Sequence, residues 1–329
     1  NNYGSNILSG RTPSFPLLKF NYKVNKYIEI NYIHGWLVSE DIDSSSSYVS
    51  TSGDYRAIFR EKFIAANLIT INLSKYTKLS FGNSIIYSDI NGINPSYLMP
   101  LFFYKSIDHS VNHNIENQNS QIFFNLSMRE LKHLHFYSSL FIDEFKKDRV
   151  FSDSLNNFIS YKVGLKISNW PFANIFNTFE YNHTTPMTYQ HTVESTSFES
   201  NQFNLGHYLK DNAKVYNYGI SYKFNNRIQL SCNYMYAMRG DDIIYNFYNG
   251  YDPTTIPIHK NKTWDKKSLN ISLSKEIKEN IYLSFLIEKS KTSGYGNDEF
   301  SASYYLNKYS PIFYHGKTNT FSVNINFGF

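Results

Sequence analysis

The sequence predicts an all-β fold: a transmembrane antiparallel outer-membrane β-barrel, with about 18 strands when complete and about 13–15 in this chain, by the strand numbers such barrels use. Three observations carry that expectation. Apolar and polar residues alternate with period two in stretch after stretch. The connections between stretches alternate strictly between short and long. Aromatic residues make up 18% of the 329 positions (Tyr 29, Phe 27, Trp 3) without any run of 18 apolar residues that would make a transmembrane helix.

Charge and cysteine content narrow the classes further. Lys+Arg 32 against Asp+Glu 27 gives a formal net charge of +5. With no basic cluster along the chain, nucleic acid is not an expected partner. A single cysteine, Cys232, excludes an internal disulfide framework and a Cys-based zinc site. The aromatic content argues against disorder.

Taken in order, the alternation reads as follows. Leu18, Phe20, Tyr22 and Val24 face one way, with Lys19, Asn21 and Lys23 opposite. Ile28, Ile30, Tyr32, Trp36 and Val38 follow, opposed by Glu29 and Asn31. Ile122, Phe124, Leu126 and Met128 oppose Gln121, Asn125, Ser127 and Arg129. Ile159, Tyr161, Val163, Leu165 and Ile167 oppose Ser160, Lys162, Gly164 and Lys166. Tyr216, Tyr218, Ile220, Tyr222 and Phe224 oppose Asn217, Gly219, Ser221 and Lys223. Ile228, Leu230, Cys232, Tyr234, Tyr236 and Met238 oppose Gln229, Ser231, Asn233 and Arg239. Leu269, Ile271 and Leu273, then Ile281, Leu283, Phe285 and Ile287, continue the wall, and Phe321, Val323, Ile325, Phe327 and Phe329 end it. No Lys, Arg, Asp or Glu falls on the apolar side of these stretches. A lipid-facing wall requires this, because Lys or Arg at the bilayer midplane costs about 2–4 kcal/mol. The alternative at this level is an amphipathic strand of a soluble sandwich, which would use fewer and shorter strands.

Short turns are expected near 25–26, 75–78, 131–133, 168–174, 225–227 and 276–280, and long connections over 40–56, 89–119, 146–157, 185–214, 240–266 and 291–317. Bacterial barrels place short turns in the periplasm and long loops outside. The strand over 17–24 therefore descends, the long loops are extracellular, and the C-terminus is periplasmic. The chain reads as a single β-barrel domain over 1–329, with an odd number of strands expected upstream of it. The stretch 96–113 is open between a lid, a short helix and an extra strand pair.

Several stretches resemble one family, the Wzi-like outer-membrane capsule-assembly proteins, in the form found in Bacteroidota. Residues 6–16 (NILSGRTPSFP) are similar to that family's S-x-x-x-P-S-F-P approach to a strand. Residues 60–71 (REKFIAANLITI), 79–87 (LSFGNSIIY), 94–103 (NPSYLMPLFF) and 140–145 (LFIDEF) resemble its successive blocks, as do Glu180-Tyr181 and 204–207 (NLGH). Asn83 departs from the pattern, where a carboxylate is expected. The resemblance implies a monomeric outer-membrane barrel, in lipid and lipopolysaccharide, that binds capsular or exopolysaccharide and supports capsule assembly or retention. It also implies that roughly a third of the protein lies upstream. Some relatives are associated with gliding or secretion, which leaves a structural subunit of such a machine as an alternative.

Catalytic chemistry finds little support. His109 and His113 have helical spacing but no accompanying Glu, so no metal or other cofactor is expected. Asp143-Glu144 before Lys146-Lys147 reads as a charged strand end. There is no G-x-S-x-G elbow and no P-loop, and the chain is not expected to be an enzyme. The long loops instead carry aromatic plates beside carboxylates and imidazoles, which complement the C–H faces and hydroxyls of sugars. The candidates are Tyr189, His191, His207, Asp241, Asp242, Tyr245, Tyr248, Tyr251, Trp264, Tyr304 and Tyr305. Glu29, Arg129, Lys162, Lys166 and Lys223 are candidates to line the lumen, which keeps a sugar or small-solute porin as a second alternative.

Overall fold

A computed structural model describes residues 5–88, 92–110, 117–152, 154–225, 227–242 and 252–328. Its elements run β1 (Leu17–Lys23), β2 (Ile28–Leu37), a small hairpin of β3 (Tyr48–Val49) and β4 (Tyr55–Arg56), β5 (Lys62–Asn72), β6 (Thr77–Ser88), helix α1 (Tyr104–Ser110), β7 (Gln118–Met128), β8 (Leu134–Glu144), β9 (Phe158–Ser168) and β10 (Ile175–Thr184). A second small hairpin of β11 (Glu199–Ser200) and β12 (Phe203–Asn204) follows, then β13 (Ala213–Asn225), β14 (Ile228–Arg239), β15 (Trp264–Lys278), β16 (Ile281–Gly294), helix α2 (Ala302–Tyr309) and β17 (Gly316–Phe327). Thirteen strands, all but the four of the small hairpins, form one antiparallel sheet in chain order. This is the wall of a transmembrane β-barrel. The stretch 96–113 resolves into a 3-10 turn, Pro95–Leu98, and the short helix α1. His109 lies in α1, while His113 and Phe329 fall outside the described residues.

Local chemistry sets the turns. Asn25 accepts from the amides of Tyr27 and Ile28, and Asn225 accepts from those of Arg227 and Ile228. The same Asx device thus reverses the chain at two of the short turns. Asn169, Asn174 and Asn280 take the positive φ that tight reversals need. The observed register puts the alternating apolar residues on the outer face, with Phe321 65% and Leu18 58% exposed in the isolated molecule. These are the side chains a bilayer covers.

Among the places that depart from simple alternation, two have a clear physical cause. On the inner face, where polar residues are expected, β5–β8 carry Ile64, Ile86, Phe123 and Phe141 near the long-loop end. They form a dry core with Ile7 from the N-terminal segment and Tyr189, Phe198 and Leu205 from loop 185–212. The expected water-filled inner face is therefore confined to the turn-bearing end. On the outer face, Asn67 and Asn83 stand opposite one another on β5 and β6. Both are buried, because residues 92–110 fold down over the outside of the wall. Asn67 donates to the Phe102 carbonyl, and Asn83 accepts from the Tyr104 amide. Tyr97, Tyr104 and Ile107 pack there on Tyr32, Phe63, Ala65, Ile85 and Tyr87.

Candidate functional site

The long loops gather at one end of the barrel around a cavity of about 360 Å³. Loop 185–212 supplies most of its lining, including Tyr189, Gln190, His191, Glu199 and Lys210, while Asp242, Lys308 and Tyr309 close the other side. Ser301 caps α2 by accepting from the Tyr304 amide, and that helix carries Lys308 and Tyr309 into place.

Beneath the cavity lies a buried ionic node. The Arg239 guanidinium, 0% exposed, meets Asp211 at 3.2 Å and Asp242 at 3.6 Å, with the Tyr309 ring 4.3 Å from its carbon. Two carboxylates against one arginine leave a surplus negative charge, which Lys308 answers by pairing with Asp242. Burial pushes the Asp211 carboxyl up, against the pull of Arg239. Burial acts upward on Asp242 too, but Arg239 and Lys308 outweigh it and hold that carboxyl low. The node ties strand, loop and helix together, so the cavity has a fixed floor.

The sequence-predicted residues divide by burial. His191 and Asp242 line the cavity, and His191 shares a hydrogen bond with the Thr196 hydroxyl at 2.8 Å. Asp241 accepts from Asn261 and Asn297, and Asn297 also donates to Tyr305. Tyr304 is partly exposed and stacks on Phe300 at 4.2 Å between centroids. Tyr189, His207, Trp264 and Tyr305 are buried, so the expectation that they offer open sugar-stacking faces is corrected. Trp264 is the first residue of β15 and points inward, donating to Ser310. Burial pushes the His207 imidazole down to about 3 and the Tyr305 phenol up to about 12. Tyr245, Tyr248 and Tyr251 lie outside the described residues. Gln190, Glu199, Lys210 and Lys308 were not singled out by sequence. The Ser301 cap was a readable sign of α2, but no pattern placed that helix beside loop 185–212.

A second cavity, about 480 Å³, occupies the inner face toward the short turns. Glu29, Arg129, Lys162 and Lys166 line it together, so the sheet curls enough to bring β2 and β9 around one space. Gly164 leaves room here for the Tyr137 ring, which a Cβ would meet at 2.1 Å, and the Tyr137 hydroxyl donates to Glu180 at 2.7 Å. Lys223 is not part of this lining; it sits 5.5 Å from the Phe176 ring. Asp143 and Glu144 each have another partner. Asp143 accepts from the Tyr189 amide at 2.7 Å, and Glu144 pairs with Arg149 at 2.8 Å.

The model of the family described as capsule assembly protein Wzi matches residues 92–299. The chain belongs to the Wzi capsule-assembly family. This Wzi-family protein is thus an outer-membrane β-barrel. Among solved structures it is similar to Wzi of Escherichia coli, described as an outer-membrane protein involved in group 1 capsule assembly and a carbohydrate-binding β-barrel. That pair shares 10% identity over 90% of this chain and 78% of that one, with a TM-score of 0.46. It is also similar to OccD3 (OpdP) of Pseudomonas aeruginosa, at 9% identity over 98% and 73%, TM-score 0.49. OccAB3 of Acinetobacter baumannii gives 11% identity over 96% and 69%, TM-score 0.46. No curated protein sequence matches the chain.

Proposed function

We propose that this Wzi-family protein binds capsular or exopolysaccharide at its loop-bearing end and supports capsule assembly or retention, without catalysis. The observation that carries this reading is the 360 Å³ cavity, whose lining mixes amide, imidazole, hydroxyl and opposed charges over a fixed ionic floor. Such groups match the donors and acceptors of sugar hydroxyls, and half-buried rings at the rim match their C–H faces. Membership of a capsule-assembly family and the carbohydrate-binding description of the E. coli protein support it. In this reading the long loops face the outside, the C-terminus faces the periplasm, and the protein acts as a monomer.

The test is titration of the purified protein with the producing strain's own polysaccharide. Measurable binding that falls when His191, Glu199 and Lys210 are replaced by Ala supports the proposal; no affinity for that polysaccharide overturns it. Capsule staining of a deletion strain should show polysaccharide shed rather than cell-attached.

The 480 Å³ polar cavity favours a second reading, passage of small solutes. The dry core above it opposes that reading. Steady conductance in planar bilayers would favour the porin, and silence the plugged binder.

A further inference from the structure

The outer face near the long-loop end carries a cluster of lysines on three adjacent strands. Register places Lys267, Lys291 and Lys317 directly across from one another on β15, β16 and β17, on the face shared with Leu269, Phe285 and Phe321. Lys289 lies on the same face, two residues nearer the apolar band. On β16 the change is abrupt: Phe285 and Ile287, then Lys289 and Lys291. All four lysines are exposed, and among the described residues none has a carboxylate within 4.0 Å. The acids nearby are engaged elsewhere: Asp265 with Lys262 at 2.8 Å, and the inward Glu288 with Lys266 at 3.3 Å. Lys267 alone has a neighbour of another kind, the Tyr236 ring at 5.4 Å.

Like charges directly opposite on adjacent strands, about 5 Å apart, are destabilising. A row of three, with a fourth beside it, is tolerable where an anion supplies the missing charge. These lysines begin where the apolar band stops, so they sit at the level of lipid headgroups, and their stems can lie along the wall while the ammonium groups reach out. Several ammonium groups converging at that level suit phosphate.

We propose that Lys267, Lys289, Lys291 and Lys317 form a binding site for the phosphate groups of an outer-leaflet glycolipid. The occupant is the glycolipid rather than an ordinary anionic phospholipid, because the site is at the long-loop end, the end held to face outward. The site is on the outer wall, and polysaccharide binding in the loop cavity does not depend on it.

The experiment uses the full chain, purified and stripped of lipid. Binding of lipid A, of the same lipid A after removal of its phosphates, and of phosphatidylglycerol is measured by native mass spectrometry for native protein and for the triple variant Lys289→Gln, Lys291→Gln, Lys317→Gln. The expected result is retention of lipid A by native protein, reduced about tenfold or more by the triple variant, the scale of losing a charged hydrogen bond. Dephosphorylated lipid A should bind as weakly as lipid A does to the variant. Arginine at the same three positions should restore binding. In lipid-free detergent the glutamine variant should unfold no earlier than native protein, since it relieves repulsion, and this separates lost binding from lost fold. Equal retention of lipid A by native protein and the glutamine variant would overturn the site. Phosphatidylglycerol held as tightly as lipid A would overturn the glycolipid as its occupant.

Discussion

The Tyr189 hydroxyl donates a 2.6 Å hydrogen bond to the main-chain carbonyl of Asn6, 183 positions earlier in the chain. The Asn6 side chain in turn donates to the Ser160 carbonyl at 2.8 Å and accepts from the Ser139 hydroxyl at 2.5 Å. One tyrosine and one asparagine thus fasten the N-terminal segment, loop 185–212 and the wall into a single plug. Tyr189→Phe keeps the ring stacking on Phe198 but leaves a buried carbonyl unpaired. The expected cost is about 1–3 kcal/mol, read as a lower unfolding temperature and faster proteolysis within 185–212.

Breaking the ionic node from one side should cost more. Asp211→Ala leaves Arg239 fully buried with only the more distant Asp242. A loss of about 3–5 kcal/mol is expected, as for other buried pairs broken this way. The heat-modifiable gel shift of the folded barrel should move to lower temperature. The cavity floor should loosen as well, so polysaccharide affinity should fall even though Asp211 is buried.

Acid should open the plug. Burial holds the His207 imidazole down to about 3, well below its unfolded value near 6.5. The unfolded or opened loop therefore binds the proton more readily than the closed one. The stabilisation is complete above about pH 6.5 and is lost as pH falls toward 3, by about 1.4 kcal/mol per unit. His259, pushed down to about 4 by burial and by His183 beside it, adds in the same direction. Protection factors in 185–212, taken against the intrinsic exchange rate at each pH, should be lower at pH 5 than at pH 7, and His207→Gln should flatten most of that dependence.

The outer flap rests on Asn83. Asn83→Leu removes the acceptor of the Tyr104 amide and the donor to Asn67. The expected cost is about 1–3 kcal/mol for the unpaired buried amide. A cysteine placed at Ile107, which is buried against the wall, should be labelled faster in that variant than in the otherwise native protein, with the barrel itself intact.

Much of the barrel is legible in the sequence, because period two is a local property and each strand shows it unaided. All six short turns and six long connections fall where alternation stops. What escapes is contact between distant parts. The run 63–66 is apolar on both faces of β5, and such a stretch reports that both its faces are covered. It does not report by what: a loop from position 189 inside, a flap from position 104 outside. The loop aromatics illustrate the same limit. Tyr189, Trp264 and Tyr305 look like sugar platforms in a list of loop residues, yet they are the apolar bodies that hold the loops shut. Lys308 and Tyr309 reach the cavity only because α2 forms and packs there.

The flap also changes what the membrane meets along one side of the wall. Residues 92–110 lie on the outside of the wall and reach down to Asn67 at mid-strand. Leu98, Met99, Leu101, Phe102 and Phe103 are exposed on this flap in the isolated molecule. Over this part of the wall lipid tails therefore meet a folded-over loop and not the strands, so the apolar skin that a bilayer needs is worn here by the flap.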